Sequence, residues 1–355
     1  MPRKPTQTTQ SDSELLAGVT QAFQGSTRIL SARPDPIDFR DRMFEPTLVE
    51  VPPRIPLEQY LGYGIPILDQ RAEGACTGFA LASVANFLLR RRAIDPDHEP
   101  VSPRMLYEMA RRFDEFPGEE YVGSTARGAM KGWHKNGVCS EQIWPYQPAR
   151  PGQLTEARII DAARRPLGAY YRVNHKELVA MHSAIAEVGI LYATAQVHSG
   201  WQQVGAEGVI HYAPGSPLLG GHAFVLVAYD QYGFWIQNSW GTVWGKAGFA
   251  HLAYADWLDN GTDVWVARLG APIFLDQRQV IAPQQYTTAR LTAAVPLQEL
   301  RPHVILLDND GRLQTNGSYG VTAEELRLLV SETIPRLTAN WNKKRILLYA
   351  HGGLV

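Results

Sequence analysis

Two stretches far apart in the chain hold between them the side chains that acyl transfer on sulfur requires. The first, Leu68 to Ala80, carries Gln70 and Cys76; the second carries Gly220-Gly221-His222 and, beyond a strand and a turn, Gln237-Asn238-Ser239-Trp240-Gly241. A thiol attacks a carbonyl only as the thiolate, so it needs a base. The base needs an orienting partner, and the oxyanion that forms needs a donor to hold it. Cys76, His222, Asn238 and Gln70 supply these four kinds of group. They imply a thiol acyl-transfer site, most simply one that cleaves peptide bonds.

These residues have to be brought together by the elements that carry them. From Thr77 to Arg92 the chain is almost continuously apolar, which suits a buried helix. Cys76 would then stand at the helix N-terminus, where unpaired amides and the helix dipole favour the thiolate. Ser102-Pro103 reads as the cap and first turn of a helix through about Arg112. Ser124 reads as the cap of another that ends at Gly137. After a helix over Lys176 to Glu187 the pattern changes to apolar runs at Gly189 to Val197, Gly208 to Tyr212, His222 to Tyr229, Phe234 to Gln237, Gly248 to Leu252 and Val264 to Leu269. Turn residues separate them, so they read as an antiparallel sheet, open or curled into a barrel. A helical half bearing the thiol would face a strand half bearing the imidazole across a cleft fit for an extended peptide. The fold class is α+β.

Charge is nearly balanced, with 34 basic and 35 acidic residues, which gives no reason to expect nucleic acid or an anionic membrane as partner. No run is long and apolar enough to read as a membrane span, and Met1 to Gln24 is polar rather than signal-like. With only Cys76 and Cys139 there is no disulfide framework, and the cytoplasm is the expected location. Cys139 reads as a small buried hydrophobe. The histidines outside the site form no group at metal-ligand spacing, so neither metal nor cofactor is expected.

The chain resembles the papain-like cysteine peptidases, the family of papain and the cathepsins, in a bacterial, cytoplasmic form, over roughly residues 34–270. Gln70 stands six positions before Cys76, Asn238 stands sixteen after His222, and Asn238 to Phe249 reads as the family's most recognisable stretch. The resemblance implies a two-lobe fold with Cys76 as nucleophile and His222 as its ion-pair partner and later general acid. Asn238 would fix the imidazole, and Gln70 with the Cys76 backbone N–H would form the oxyanion hole. Trp240 would shield the His222–Asn238 contact, and Trp244 would wall the leaving-group side. Gly123 resembles the glycine against which a substrate strand pairs. Thr77 replaces a tryptophan, and Glu73 a cysteine often disulfide-bonded in secreted members. The expected partner is a peptide or protein substrate. A catalytically restrained scaffold or a transpeptidase are the alternative activities.

Residues 1–33 read as a flexible leader, too short for the family's helical inhibitory segment, and the proline-rich stretch that follows, with its insertion over 41–64, could cover part of the cleft. Residues 271–302 read as a linker. Beyond it, 303–355 read as a short βαβ-like segment, a strand over His303 to Leu307, a helix over Thr322 to Asn340 with Thr322 and Glu325 as a capping box, and a strand over Arg345 to Tyr349. Its ending, His351-Gly352-Gly353, resembles the oxyanion loop of α/β-hydrolases, as if a hydrolase-like domain were starting and could act as an intramolecular partner.

Overall fold

The computed structural model describes residues 19–273, apart from 24, 47–49, 94–97, 115–121 and 149, and beyond them residues 305, 313, 315, 321–337 and 339. The chain divides into two compact units, Met1–Val280 and Ile281–Val355.

The first unit is built around one helix and one strand. The helix α2 (Cys76–Arg92) is buried over nearly its whole circumference from Cys76 to Phe87, as its almost continuously apolar sequence demands. Its last turn carries Arg90, Arg91 and Arg92, which complement the dipole. These guanidiniums reach back to neighbouring carbonyls, Arg90 to Tyr63 at 2.9 Å and Arg92 to Gly270 at 3.2 Å, and so tie the helix end to the body. Helix α3 (Pro103–Arg112) begins where Ser102 accepts the Met105 N–H. Helix α4 (Ala126–Asn136) is capped by Thr125, one residue later than expected; the Ser124 hydroxyl is instead 2.5 Å from that of Thr77 on α2. A short helix α1 (Leu57–Leu61) precedes them, and α5 (Glu156–Ala162) follows.

The strand half is one six-stranded sheet, antiparallel throughout, in the order β3-β8-β4-β5-β6-β7. Here β3 is Leu167–Arg172, β4 Leu191–His198, β5 Leu218–Tyr229, β6 Gly233–Gln237, β7 Phe249–Ala253 and β8 Gly261–Leu269. The central strand β5 is apolar on both faces because both are covered. Ala223, Val225 and Val227 join the core containing α2. Phe224 and Leu226 join a second core against α6 (Leu178–Val188) and a tryptophan cluster. The sheet stays open, with β3 and β7 as edges. The run Gly208 to Tyr212 makes only a single bridge, Val209 to His251, rather than a strand. Strand β3 and helix α7 (Tyr254–Asn260) were not anticipated; both are short and lack clear periodicity.

The leader differs most from expectation. Val19–Phe23 (β1) and Ser26–Leu30 (β2) form an antiparallel hairpin, with Phe23 and Leu30 each 2% exposed in the second core. Two well-placed apolar residues dock an otherwise polar segment. The insertion after Arg40 runs elsewhere: Phe44 N–H donates to Arg172 O, and Ile55 pairs with Tyr229 at the end of β5 remote from His222.

In the second unit the capping box is formed. Thr322 Oγ1 accepts the Glu325 N–H, Glu325 accepts the Thr322 N–H, and α8 (Ala323–Leu328) follows, continuing through a π-turn into Ile334–Leu337. The anticipated strand at Arg345 to Tyr349 and the His351-Gly352-Gly353 ending lie outside the described residues, as does nearly all of the anticipated strand at His303 to Leu307.

Candidate active site

Strand β5 delivers His222, and the β6–β7 connection delivers Asn238. Asn238 Oδ1 accepts the Ser239 N–H at 2.7 Å, which fixes the side-chain amide. The same oxygen lies 2.8 Å from His222 Nε2, and since it can only accept, Nε2 carries a proton. In the neutral ring Nδ1 then holds the free lone pair; it is buried and bonds no protein atom. Trp240 stacks obliquely on the imidazole at 4.6 Å between centroids, and Trp201 meets its edge at 6.3 Å. Trp201 itself stacks on Trp244 at 5.9 Å. Trp201 was not anticipated at the site: it sits in a 3-10 turn carrying no motif, and only its place just after β4 points to it.

Cys76 opens α2 and is fully buried. Burial pushes its thiol up to about 11, against the backbone hydrogen-bonding groups of Ala223, Thr77, Cys76 itself and Ala32, which act in the opposite direction. Ala223 directly follows His222, so the thiol lies against the strand that bears the imidazole. Burial likewise drives the His222 pKa down to about 4; the Asn238 bond opposes this, and the positive charge of Arg28 adds to it. Both shifts disfavour the expected thiolate–imidazolium pair. In this state the site holds a thiol and a neutral imidazole, because desolvation outweighs the helix dipole.

Gln70 is buried, with its N–H donating to Ser239 O at 2.9 Å and its Oε1 accepting from Ser239 Oγ at 2.8 Å. Gln70 Nε2 donates to Glu73 O at 2.9 Å. The loop between Gln70 and Cys76 is clamped by charge. Glu73 accepts both Nη1 and Nη2 of the buried Arg104, at 2.8 and 2.6 Å, and also the Tyr146 hydroxyl. Tyr146 bonds Gln70 O at 2.7 Å as well. Thus an ion pair stands at Glu73, where the resemblance marked a replaced cysteine.

The leader packs against both groups, its Ala32 backbone against the thiol and its Arg28 charge near the imidazole. Beyond the hairpin, Ser31, Ala32 and Arg33 run as an extended strand across the site. Ala32 N–H donates to Gly221 O at 3.0 Å, and Arg33 bridges Thr125 in parallel. The strand is admitted because glycines line both banks. A Cβ on Gly123 would stand 2.2 Å from Ser31 O, one on Gly221 1.9 Å from Ala32 O, and one on Gly74 2.4 Å from Ser31 Oγ. Gly123 is therefore placed against a peptide backbone, with φ of +155°. Phe23 covers Trp240 at 4.4 Å between ring centroids. Among the described residues no group of His, Cys, Asp and Glu could hold a metal ion.

A helix-borne thiol, a strand-borne imidazole fixed by an amide, and a groove between them invite comparison with known proteins. The sequence profile of the papain family of cysteine proteases matches residues 65–261, more than half of the chain. The chain belongs to that family. Two curated relatives are distant. An uncharacterized peptidase C1-like protein of Acanthamoeba polyphaga mimivirus is 24% identical, the match covering 56% of this chain and 68% of that protein. The cathepsin B-like CP2 of Giardia intestinalis is 26% identical over 57% of this chain and 69% of its own. Among solved structures, the cysteine protease xylellain from Xylella fastidiosa superposes with a TM-score of 0.58 at 25% identity, covering 67% of this chain and 94% of that one. Digestive procathepsin L 3 of Tenebrio molitor shares the fold at a TM-score of 0.52 and 17% identity, over 72% and 77% of the two chains. The chain is a cysteine-type peptidase of α+β papain fold, and the family implies a peptide or protein substrate.

Proposed function

We propose that the chain cleaves peptide bonds with Cys76 as nucleophile, His222 as base and then general acid, Asn238 as the group that orients it, and Gln70 with the Cys76 N–H as the oxyanion hole, and that its own residues 19–33 cap this site. One observation carries the reading. A peptide segment, Ser31 to Arg33, already lies extended in a glycine-walled groove with its Ala32 backbone against the thiol. What fits one strand fits a substrate strand, with Gly123 and Gly221 giving it backbone partners and Trp240 and Trp244 walling one end.

The chemistry follows from the tautomer. With Nε2–H held by Asn238, His222 Nδ1 is the nitrogen free to take the thiol proton. When the cap leaves, water reaches the site, the desolvation that holds the thiol up and the imidazole down is relieved, and the α2 N-terminus favours the thiolate. The attacking sulfur forms a tetrahedral oxyanion, the protonated imidazole gives its proton to the leaving amine, and water hydrolyses the thioester. The restrained scaffold and the peptidase are then two states of one enzyme.

The test is a peptide library incubated with the full chain and with Cys76→Ala side by side, before and after the leader is nicked by a trace of a second protease. Cleavage that appears on nicking and is absent from Cys76→Ala is expected. A nicked wild type that takes up an epoxide probe at Cys76 but cleaves no peptide would overturn the assignment. The cytoplasm is the compartment we propose, supported by two free thiols and by an ion pair at Glu73; fractionation of the native host tests it.

A further inference from the structure

The cap presents the enzyme with one buried cation. Arg28, on β2, is 3% exposed although it belongs to an otherwise polar leader. Its Nη1 bonds Asp69 Oδ1, and its Nη2 donates to Trp240 O at 3.0 Å. Both acceptors belong to the body of the enzyme and are held without help from the leader. Asp69 Oδ1 also accepts the Arg71 N–H at 2.8 Å, Asp69 and Trp240 bridge antiparallel, and Gly241 N–H donates to Leu68 O at 3.0 Å. Arg71 sits at φ +54°, a left-handed conformation that a side-chain-bearing residue adopts only when its surroundings hold it there. The result is a fixed carboxylate and a fixed carbonyl, set side by side between Gln70 and Trp240.

This pair of acceptors lies at a definite end of the groove. The leader enters beside Trp240, where Phe23 packs, crosses the thiol at Ala32 and leaves along Thr125. The acceptors are at the Trp240 end, and Arg28 is near enough to His222 for its charge to depress the imidazole's proton affinity. Two acceptors at separate points suit the planar fork of a guanidinium better than the single point charge of an ammonium. The fit of Arg28 is incomplete, since its Nε is buried without a partner. A ligand that seats its cation with all its donors satisfied could displace it.

We propose that Asp69 and the Trp240 carbonyl form a subsite for a cationic side chain, arginine before lysine, on the leaving-group side of the scissile bond, and that Arg28 fills this subsite while the chain is capped. The inference rests on the peptidase reading above and adds a substrate class to it: peptides with a basic residue shortly after the cleaved bond.

The test uses the full chain. In the first arm, the rate of Cys76 alkylation by iodoacetamide is measured for Arg28→Gln, Asp69→Asn, the double variant and the reversed pair Arg28→Asp with Asp69→Arg. Each single change should raise the rate about tenfold or more, the double should add little, and the reversal should return it toward wild type. In the second arm, Arg28→Gln is given fluorogenic peptides with arginine or citrulline at the first or second position after the cleaved bond. Arginine should be preferred about tenfold or more, chiefly through KM, and Asp69→Asn should erase the preference. Strictly additive single changes, a preference untouched by Asp69→Asn, or a basic preference only before the scissile bond would each overturn the subsite. Should Cys76 become reactive while no peptide is cut, the peptidase reading fails by itself. The subsite is then judged by whether arginine peptides protect Cys76 from alkylation better than citrulline peptides and lose that advantage in Asp69→Asn.

Discussion

Truncating Phe23 to alanine should expose Cys76 without unfolding the enzyme. The Phe23 ring is 2% exposed and lies 4.4 Å from that of Trp240, so it is a main apolar tie between the hairpin and the body. Burial of such a ring and the cavity left by its loss are worth about 3 to 5 kcal/mol. The lower figure applies to a surface hairpin that can relax. If about 3 kcal/mol falls on the docking equilibrium alone, the undocked fraction rises roughly 150-fold. Alkylation reads this fraction directly. The docked thiol, raised to about 11 and fully buried, contributes almost nothing at neutral pH, so the rate is the undocked population times the rate of the open site. Cys139 provides the control, because it is equally buried, raised to about 12, and packed in a separate cluster with Met105 and Trp144. Iodoacetamide labelling followed by peptide mass analysis should therefore show Cys76 accelerated by two orders of magnitude, with Cys139 unchanged. Equal acceleration at both cysteines would mean global loosening, and no acceleration at either would mean that the leader is not held by this contact; either result refutes the reasoning.

Four other outcomes follow from the same geometry. His222 in the capped state takes its proton near pH 4 instead of 6.5, so the uncapped or unfolded form binds a proton first as pH falls; wild type should lose up to about 3 kcal/mol relative to His222→Gln between those values, measured by denaturant titration at several pH values. Gly221→Ala places a Cβ 1.9 Å from Ala32 O and should displace any strand from that bank, raising Cys76 alkylation while lowering kcat/KM for peptides; a rise in both would mean substrate does not use the bank the leader uses. Gln70→Ala, made on the Phe23→Ala chain so that the cleft is open, should reduce kcat by roughly 100- to 1000-fold with little change in KM. Arg104→Met strips Glu73 of its buried partner and should cost about 3 kcal/mol, seen as a melting point lower by roughly 6 to 12 °C.

Much of the site was legible in the residues themselves. The apolar run behind Cys76 read as a buried helix, the Ser102-Pro103 pair marked the start of the next helix, Pro103–Arg112, and Thr322 with Glu325 formed the capping box their spacing promised. These signals are local, because a cap or an apolar face involves residues within a few positions of one another. Where two candidates were adjacent, local rules were too weak. Ser124 and Thr125 are both good caps, and the choice fell to Thr125 because Ser124 is taken by Thr77, distant in sequence. The run Gly208 to Tyr212 has strand composition but only one bridging neighbour.

By its sequence alone the chain determines a thiol, an imidazole and the side-chain amides near them, together with the helix and strand that carry the thiol and the imidazole, because residue type and short-range pattern specify those things. Tertiary structure decided the state of that machinery. The glycines at 74, 123 and 221 come from three separate stretches, and only their meeting makes a groove, which the leader fills when Phe23 and Leu30 dock it. Burial, to which that occupancy adds, shifts both proton affinities in the site, since desolvation depends on what packs against a group from distant parts of the chain, which no pattern around Cys76 or His222 records.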